Sequence, residues 1–107
     1  MQSKIAPSLD DVCILQRLET VVDSIGNEIR KVTAEREVWC AETPASQYEF
    51  FRAAQQGITP ECVLVLDSTE YGGESAAVSN GIRYAIYRVY PRPDGMTELY
   101  LQRKAGD

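Results

Sequence analysis

The chain has no histidine and only three cysteines in its 107 residues. The missing histidine removes the commonest general base and the commonest metal ligand. Cys13, Cys40 and Cys62 are odd in number, far apart and without C-x-x-C spacing, which argues against a disulfide framework or a zinc site. Each lies in an apolar, strand-like run and reads as a small buried hydrophobe. A cysteine nucleophile would lack a histidine to activate it. No apolar run approaches the roughly 20 residues a membrane-spanning helix needs. The opening residues Met1 to Ser8 contain no apolar core of the signal-peptide kind, so cytoplasmic synthesis is expected. Basic residues are also scarce, 11 Lys and Arg against 16 Asp and Glu, for a net charge of −5. A nucleic-acid binder ordinarily presents a basic face, and this balance argues against one. An acidic wall around DNA is still physically sensible, because it repels phosphate and lets the polymer slide.

What is present is an ordinary globular balance, 44% apolar and 25% charged residues, in a length that suits one domain. Residues 1–11 show no periodicity and are expected to form a flexible arm, with 12–107 as a single domain. Val12 to Val22 is rich in β-branched and apolar residues and predicts a strand. Asp23 to Asn27 predicts a turn, with Gly26 and Asn27 suited to positive φ. Glu28 to Glu42 predicts the returning strand, Val32, Ala34, Val38 and Cys40 on one face and Lys31, Thr33, Glu35, Glu37 and Trp39 on the other. Trp39 on the polar side would either cover a barrel end or meet a partner.

Ser46 to Pro60 predicts the single helix, about three turns long. Ser46 and Glu49 form an S-x-x-E capping box, in which each side chain would bond the other's backbone N–H. Gly57 supplies a left-handed stop, Ile58 folds back on the last turn, and Pro60 forbids continuation. Phe50 with Ala53 and Ala54, or Phe51 with Ala54 and Gln55, gives a narrow apolar stripe. A helix this short is marginal alone and must lean on a sheet or on a neighbouring subunit. Glu61 to Asp67 is a continuous apolar run, the mark of a central strand buried on both faces. Ser68 to Glu74 predicts a loop and Ser75 to Ser79 a short strand. Asn80-Gly81 is a two-residue hairpin signal. Ile82 to Tyr90 and Thr97 to Arg103 complete about six strands, Leu99 and Leu101 facing inward, and Lys104 to Asp107 are expected to fray. The spacing is that of a small antiparallel β-barrel or sandwich with one short helix between strands 2 and 3.

Chemistry finds little foothold. Asp67, Glu70 and Glu74 cluster in sequence, but without calcium-loop spacing they read as a solvated loop. Gly72-Gly73 is followed by neither lysine nor helix and is no phosphate loop. Tyr84, Tyr87, Tyr90 and Tyr100 fall on late strands, where they would imitate a base-stacking platform, but the basic groove is missing. No catalytic, cofactor or metal site is expected.

The order of these elements resembles the head-closure proteins of tailed phages, also called stoppers or head–tail joining proteins. The likeness is carried by Glu37-Val38-Trp39-Cys40, Ser46 to Ala54, Gly57 and Pro60, Glu70-Tyr71-Gly72-Gly73-Glu74, Gly81 with Tyr84 and Ile86, and Glu98-Leu99-Tyr100-Leu101. It spans about Val12 to Arg103, and the N-terminal arm is longer than the family leads one to expect. The resemblance implies a non-enzymatic β-barrel protein of the virion neck, made in the host cytoplasm. It would dock as a ring below the portal or its adaptor (connector), close the head channel on packaged DNA, and offer an attachment site to the tail or tail-terminator protein. DNA would pass without sequence-specific binding, and no membrane or cofactor is involved. In such stoppers the segment between strands 2 and 3, here Thr43 to Pro60, projects toward the channel. Tyr48, Phe51, Arg52, Gln55 and Gln56 are therefore the expected subunit or channel contacts, and Glu70, Tyr71 and Glu74 the expected loop contacts. The alternatives are another neck ring, adaptor or tail terminator, and a small-barrel module binding peptide or nucleic acid.

Overall fold

The computed structural model describes residues 9–103. Strands β1 (Asp11–Val22) and β2 (Glu28–Thr43) form a long antiparallel hairpin. Its turn is locked by Asp23, whose carboxylate accepts from the Ile25 and Asn27 N–H groups, and Gly26 takes φ 90°. Asn27, expected to share the left-handed conformation, does not; Gly26 alone reverses the chain. Helix α1 (Gln47–Ala54) follows, then β3 (Pro60–Asp67), a single 3₁₀ turn (Ser68–Glu70), β4 (Ala76–Ser79), β5 (Ile82–Pro91) and β6 (Met96–Gln102). The strands close into an antiparallel barrel in the order β1-β2-β3-β6-β5-β4. The mainly-β barrel and the position of the helix agree with the sequence reading. Of the expected arm and frayed tail, residues 1–8 and 104–107 lie outside the described residues.

β3 is central for a physical reason. Cys62, Leu64 and Leu66 point into the barrel and join Cys13, Leu15, Val38, Cys40, Ala77, Leu99 and Leu101 in the core. Val63 and Val65 point the other way, into a second cluster with Ala45 and Met96 that Leu9, Ala41 and Tyr100 cover. Both pleat faces are therefore dry, as the unbroken apolar run predicts. Asn80 and Gly81, at φ 53° and 78°, make the type I′ connection between β4 and β5 that suits strand twist.

The β1–β2 hairpin is longer than the barrel requires. β1 pairs with β4 only over Ile14 to Gln16, and β2 with β3 only over Ala41 to Thr43. A bulge between Arg17 and Leu18 leaves Thr33 unpaired and shifts the facing of the strand beyond it. Val32, expected on the core face, lies beyond the bulge and is half-buried; Ala34 keeps the facing of Val38 and Cys40 but stands past the barrel on the overhang and is exposed. The overhang gives the molecule a long axis of 64 Å against 31 and 23 Å.

Leu64 is fully buried at the centre of the core. Leu64→Ala should cost about 2–5 kcal/mol in denaturant unfolding. Gly81→Ala should cost about 1 kcal/mol through its positive φ alone, since nothing lies within 4 Å of the added methyl group.

Candidate functional site

Helix α1 is shorter than expected, just over two turns. Its start is capped as predicted, with the Ser46 hydroxyl accepting from the Glu49 N–H at 3.0 Å. Its end is closed by the predicted glycine. The Ile58 N–H reaches the Ala53 carbonyl, the Gly57 N–H reaches the Ala54 carbonyl, and Gly57 sits at φ 75°. Residues after Ala54 therefore form a closing turn rather than a third helical turn.

The second half of the capping box is absent, because the Glu49 carboxylate has other partners. Glu49 is only 3% exposed. The Tyr87 hydroxyl donates to its Oε2 at 2.6 Å and the Arg88 guanidinium to its Oε1 at 3.0 Å. Arg52, one turn along the helix, lies 3.5 Å away. A β-bulge between Ile86 and Arg88 lets two consecutive side chains of β5 serve one carboxylate. Arg88 also stacks 4.0 Å over the Tyr100 ring, and Tyr87 meets Tyr100 edge-on at 6.1 Å. Burial pushes the Glu49 carboxyl up, but the hydrogen bonds from Tyr87, Arg88 and Arg52 outweigh it and hold it below the ordinary glutamate value. Burial and the bond to Glu98 push the Tyr100 phenol up to about 12.

This anchor inverts the usual amphipathy of a surface helix. Glu49 and Ala53 are its buried residues. Tyr48 is 74%, Phe51 67% and Phe50 43% exposed. The aromatic stripe faces solvent, so the phenylalanines do not serve as the helix's own packing face. Of the expected contact residues, Tyr48, Phe51, Gln55 and Gln56 are exposed on and just beyond this helix. Arg52 is set apart from them by its ion pair with Glu49.

The loop residues form a separate group at the other end of β3. Glu74 is buried, not solvated: it accepts from the Gly72 N–H at 2.9 Å and pairs with Arg36 at 3.1 Å. Burial raises its carboxyl, and these bonds outweigh that and hold it low. The Tyr71 hydroxyl donates to the Glu74 carbonyl at 2.7 Å, and its ring packs on the core. Glu70 pairs with Arg36 at 3.3 Å. Arg17 donates to the Gly72 carbonyl at 2.6 Å. Two arginines from the hairpin root thus clamp this loop over the barrel mouth. The late-strand tyrosines form no shared platform: Tyr84 packs on the core, Tyr87 and Tyr100 lie beneath Glu49, and Tyr90 is exposed.

The cysteines are all buried, and burial with the Glu42 and Glu61 charges pushes the Cys62 thiol up to about 12. A thiol held so high is a poor nucleophile at neutral pH. Among the described residues no three potential metal ligands converge, and no helix is long and apolar enough to cross a membrane.

No family model matches this chain, and no curated protein matches it. Solved structures share its fold, among them the following two. Protein SF1141 from Shigella flexneri 2a matches with a TM-score of 0.69 at 14% identity, over 92% of this chain and 96% of that one. The second is a virion chain. It belongs to the virion of the native gene transfer agent (GTA) particle and matches with a TM-score of 0.60 at 16% identity, over 95% of this chain and 100% of that one.

The Glu49 cluster was hidden from the sequence because the capping box already gave Glu49 a role. The available signal was that Glu49 and Ala53 share a helical face from which the aromatics are absent. Glu49→Ala, which leaves Arg88 and Tyr87 without their acceptor, should destabilise the protein by about 2–3 kcal/mol. Because the folded carboxyl titrates below its unfolded value, its stabilisation is complete above the ordinary glutamate range. It disappears as pH falls through the lowered folded value. Thermal unfolding of wild type and Glu49→Gln should therefore differ widely at neutral pH and converge in acid.

Proposed function

We propose that this chain is a structural protein of a tailed-phage or phage-like virion, placed in the neck between head and tail. It docks as a ring below the portal or its adaptor, closes the channel after packaging and gives the tail its attachment site. The observation that carries the reading is the match of nearly this whole chain to the whole of a virion chain. The helix supports it. An element that turns Tyr48 and Phe51 outward, while a buried ion pair holds its other face, is built to be covered by another protein. The likeness of the residue order to head-closure proteins supports the same place in the particle. Tyr48, Phe51, Gln55 and Gln56 then carry subunit or channel contacts, and Arg52 positions them through Glu49. Glu70, Tyr71 and Glu74 shape the loop at the opposite end, with only Glu70 exposed for a partner. The protein performs no catalysis, and its net negative charge lets DNA pass without being gripped.

A stop codon in the gene tests this directly. Electron microscopy of the lysate should show free tails beside heads that have lost their DNA. Intact, infectious particles would overturn the role. The helix contacts are tested with a Tyr48→Ala, Phe51→Ala double variant. Both side chains are exposed, so the purified protein should keep its stability to within about 0.5 kcal/mol. Particle yield should nevertheless fall by at least a factor of ten, and an unchanged yield would remove these residues from the interface.

A further inference from the structure

The barrel is closed, yet the overhanging hairpin has two open backbone edges. Beyond Gln16, β1 has no strand on the side away from β2, because β4 pairs only with Ile14 to Gln16. Before Ala41, β2 has none on the side away from β1, because β3 pairs only with Ala41 to Thr43. The Asp23 N–H donates to the Asn27 carbonyl, so the pairs Val21–Ile29 and Glu19–Lys31 also bond within the hairpin. The alternate residues, Leu18, Thr20 and Val22 on β1 and Glu28, Arg30 and Val32 on β2, then turn their N–H and C=O groups outward. Each edge is a row of unpaired donors and acceptors to which another extended strand can add. Most side chains there are exposed, and only Leu18, Val21 and Val32 are half-buried.

The strand that fits is visible inside the molecule. β1 and β2 already pair as Leu18–Val32, Glu19–Lys31, Thr20–Arg30, Val21–Ile29 and Val22–Glu28. Two of these pairs set apolar against apolar, one sets opposite charges together, and none brings like charges together. The bulge between Arg17 and Leu18 ends the regular run. A slide of two residues, the smallest that keeps every side chain on its face, loses the match. In one direction it sets Lys31 against Val21 and Arg30 against Val22; in the other it sets Arg30 against Leu18 and Lys31 against Arg17. Arg30, Lys31 and the bulge blunt the β2 edge against strands in general, whereas β1 answers Lys31 with Glu19. A two-stranded ribbon is marginal on its own, so added strands stabilise it.

We propose that the open edge of β1 in one copy pairs with the open edge of β2 in a second copy, antiparallel and in the hairpin's own register. Rotation about an axis along the ribbon brings these edges together without sliding one strand past the other. The strands then run antiparallel, because β1 and β2 already point in opposite directions. The contact joins two different edges, so it is heterologous, and it closes into a ring of hairpins when the rotation between copies allows. That closure rests on the ring reading above; the pairing itself does not need the virion.

Disulfide trapping tests it in purified, full-length protein. Val21 and Ile29 bond within each hairpin, so across copies they form a close pair without hydrogen bonds, the spacing a disulfide accepts. Val21→Cys and Ile29→Cys variants, one of them tagged, are mixed under mild oxidation. They should give a heterodisulfide dimer in several-fold excess over Val21→Cys mixed with Pro93→Cys. The native cysteines are buried and should stay silent. Glu19→Lys on the Val21→Cys partner should lower the yield several-fold, and Lys31→Glu on the Ile29→Cys partner should restore it, with circular dichroism confirming an intact barrel. Equal yields at Ile29 and Pro93, an equal yield from Val21→Cys alone, or yields unmoved by the charge exchange would overturn the pairing and leave the virion reading to the stop-codon test. Normal virions after the stop codon would remove the virion role and leave the pairing standing.

Discussion

The structure depends on one strand being apolar on both sides. β3 supplies Cys62, Leu64 and Leu66 to the barrel interior and Val63 and Val65 to the cluster outside it. Its neighbours are β2 and β6, so it ties the early hairpin to the end of the chain. The outer cover comes from Ala45, Met96 and the residues packed on them, which fixes where the segment around α1 must lie. The helix is placed at the foot of β3 because the chain reaches β3 through it.

Placement does not determine which way the helix faces. That is set by electrostatics, since Glu49 reaches Tyr87, Arg88 and Arg52 only with its own face turned inward. A buried carboxylate needs this much compensation, and once compensated it fixes orientation more strictly than a methyl group would. The outward aromatics follow from that choice. Their exposure leaves unused apolar surface, which is the usual condition of a protein that completes its packing in an assembly.

Much of the fold was legible in the residues. The unbroken run Cys62 to Leu66 announced burial on both faces, Asn80-Gly81 announced a tight hairpin, and Ser46 and Gly57 marked the helix start and stop. Each of these is decided by neighbours in sequence. The missed features depend on partners far along the chain. Glu49 meets Tyr87 and Arg88 at separations of 38 and 39 residues. Glu74 meets Arg36 across 38 residues. A local pattern assigns such carboxylates to a cap or to solvent, because their partners lie on strands whose register is not local information. The bulge at Thr33 is another such case. It changes the facing of Val32, while Ala34 keeps the facing of Val38 and Cys40 but stands past the strands that would cover it.

The barrel interior has a geometric consequence. Leu15, Leu64, Leu66, Leu99 and Leu101 fill it with no exposure at all, and the arginine-clamped loop lies over one mouth. It has no lumen. The closed sheet is a solid strut, and a strut conducts nothing along its own axis. In the proposed ring, a passage wide enough for a polymer would be bounded by several copies standing side by side. Its bore would then be set by how many copies stand in the circle rather than by the diameter of the β-barrel.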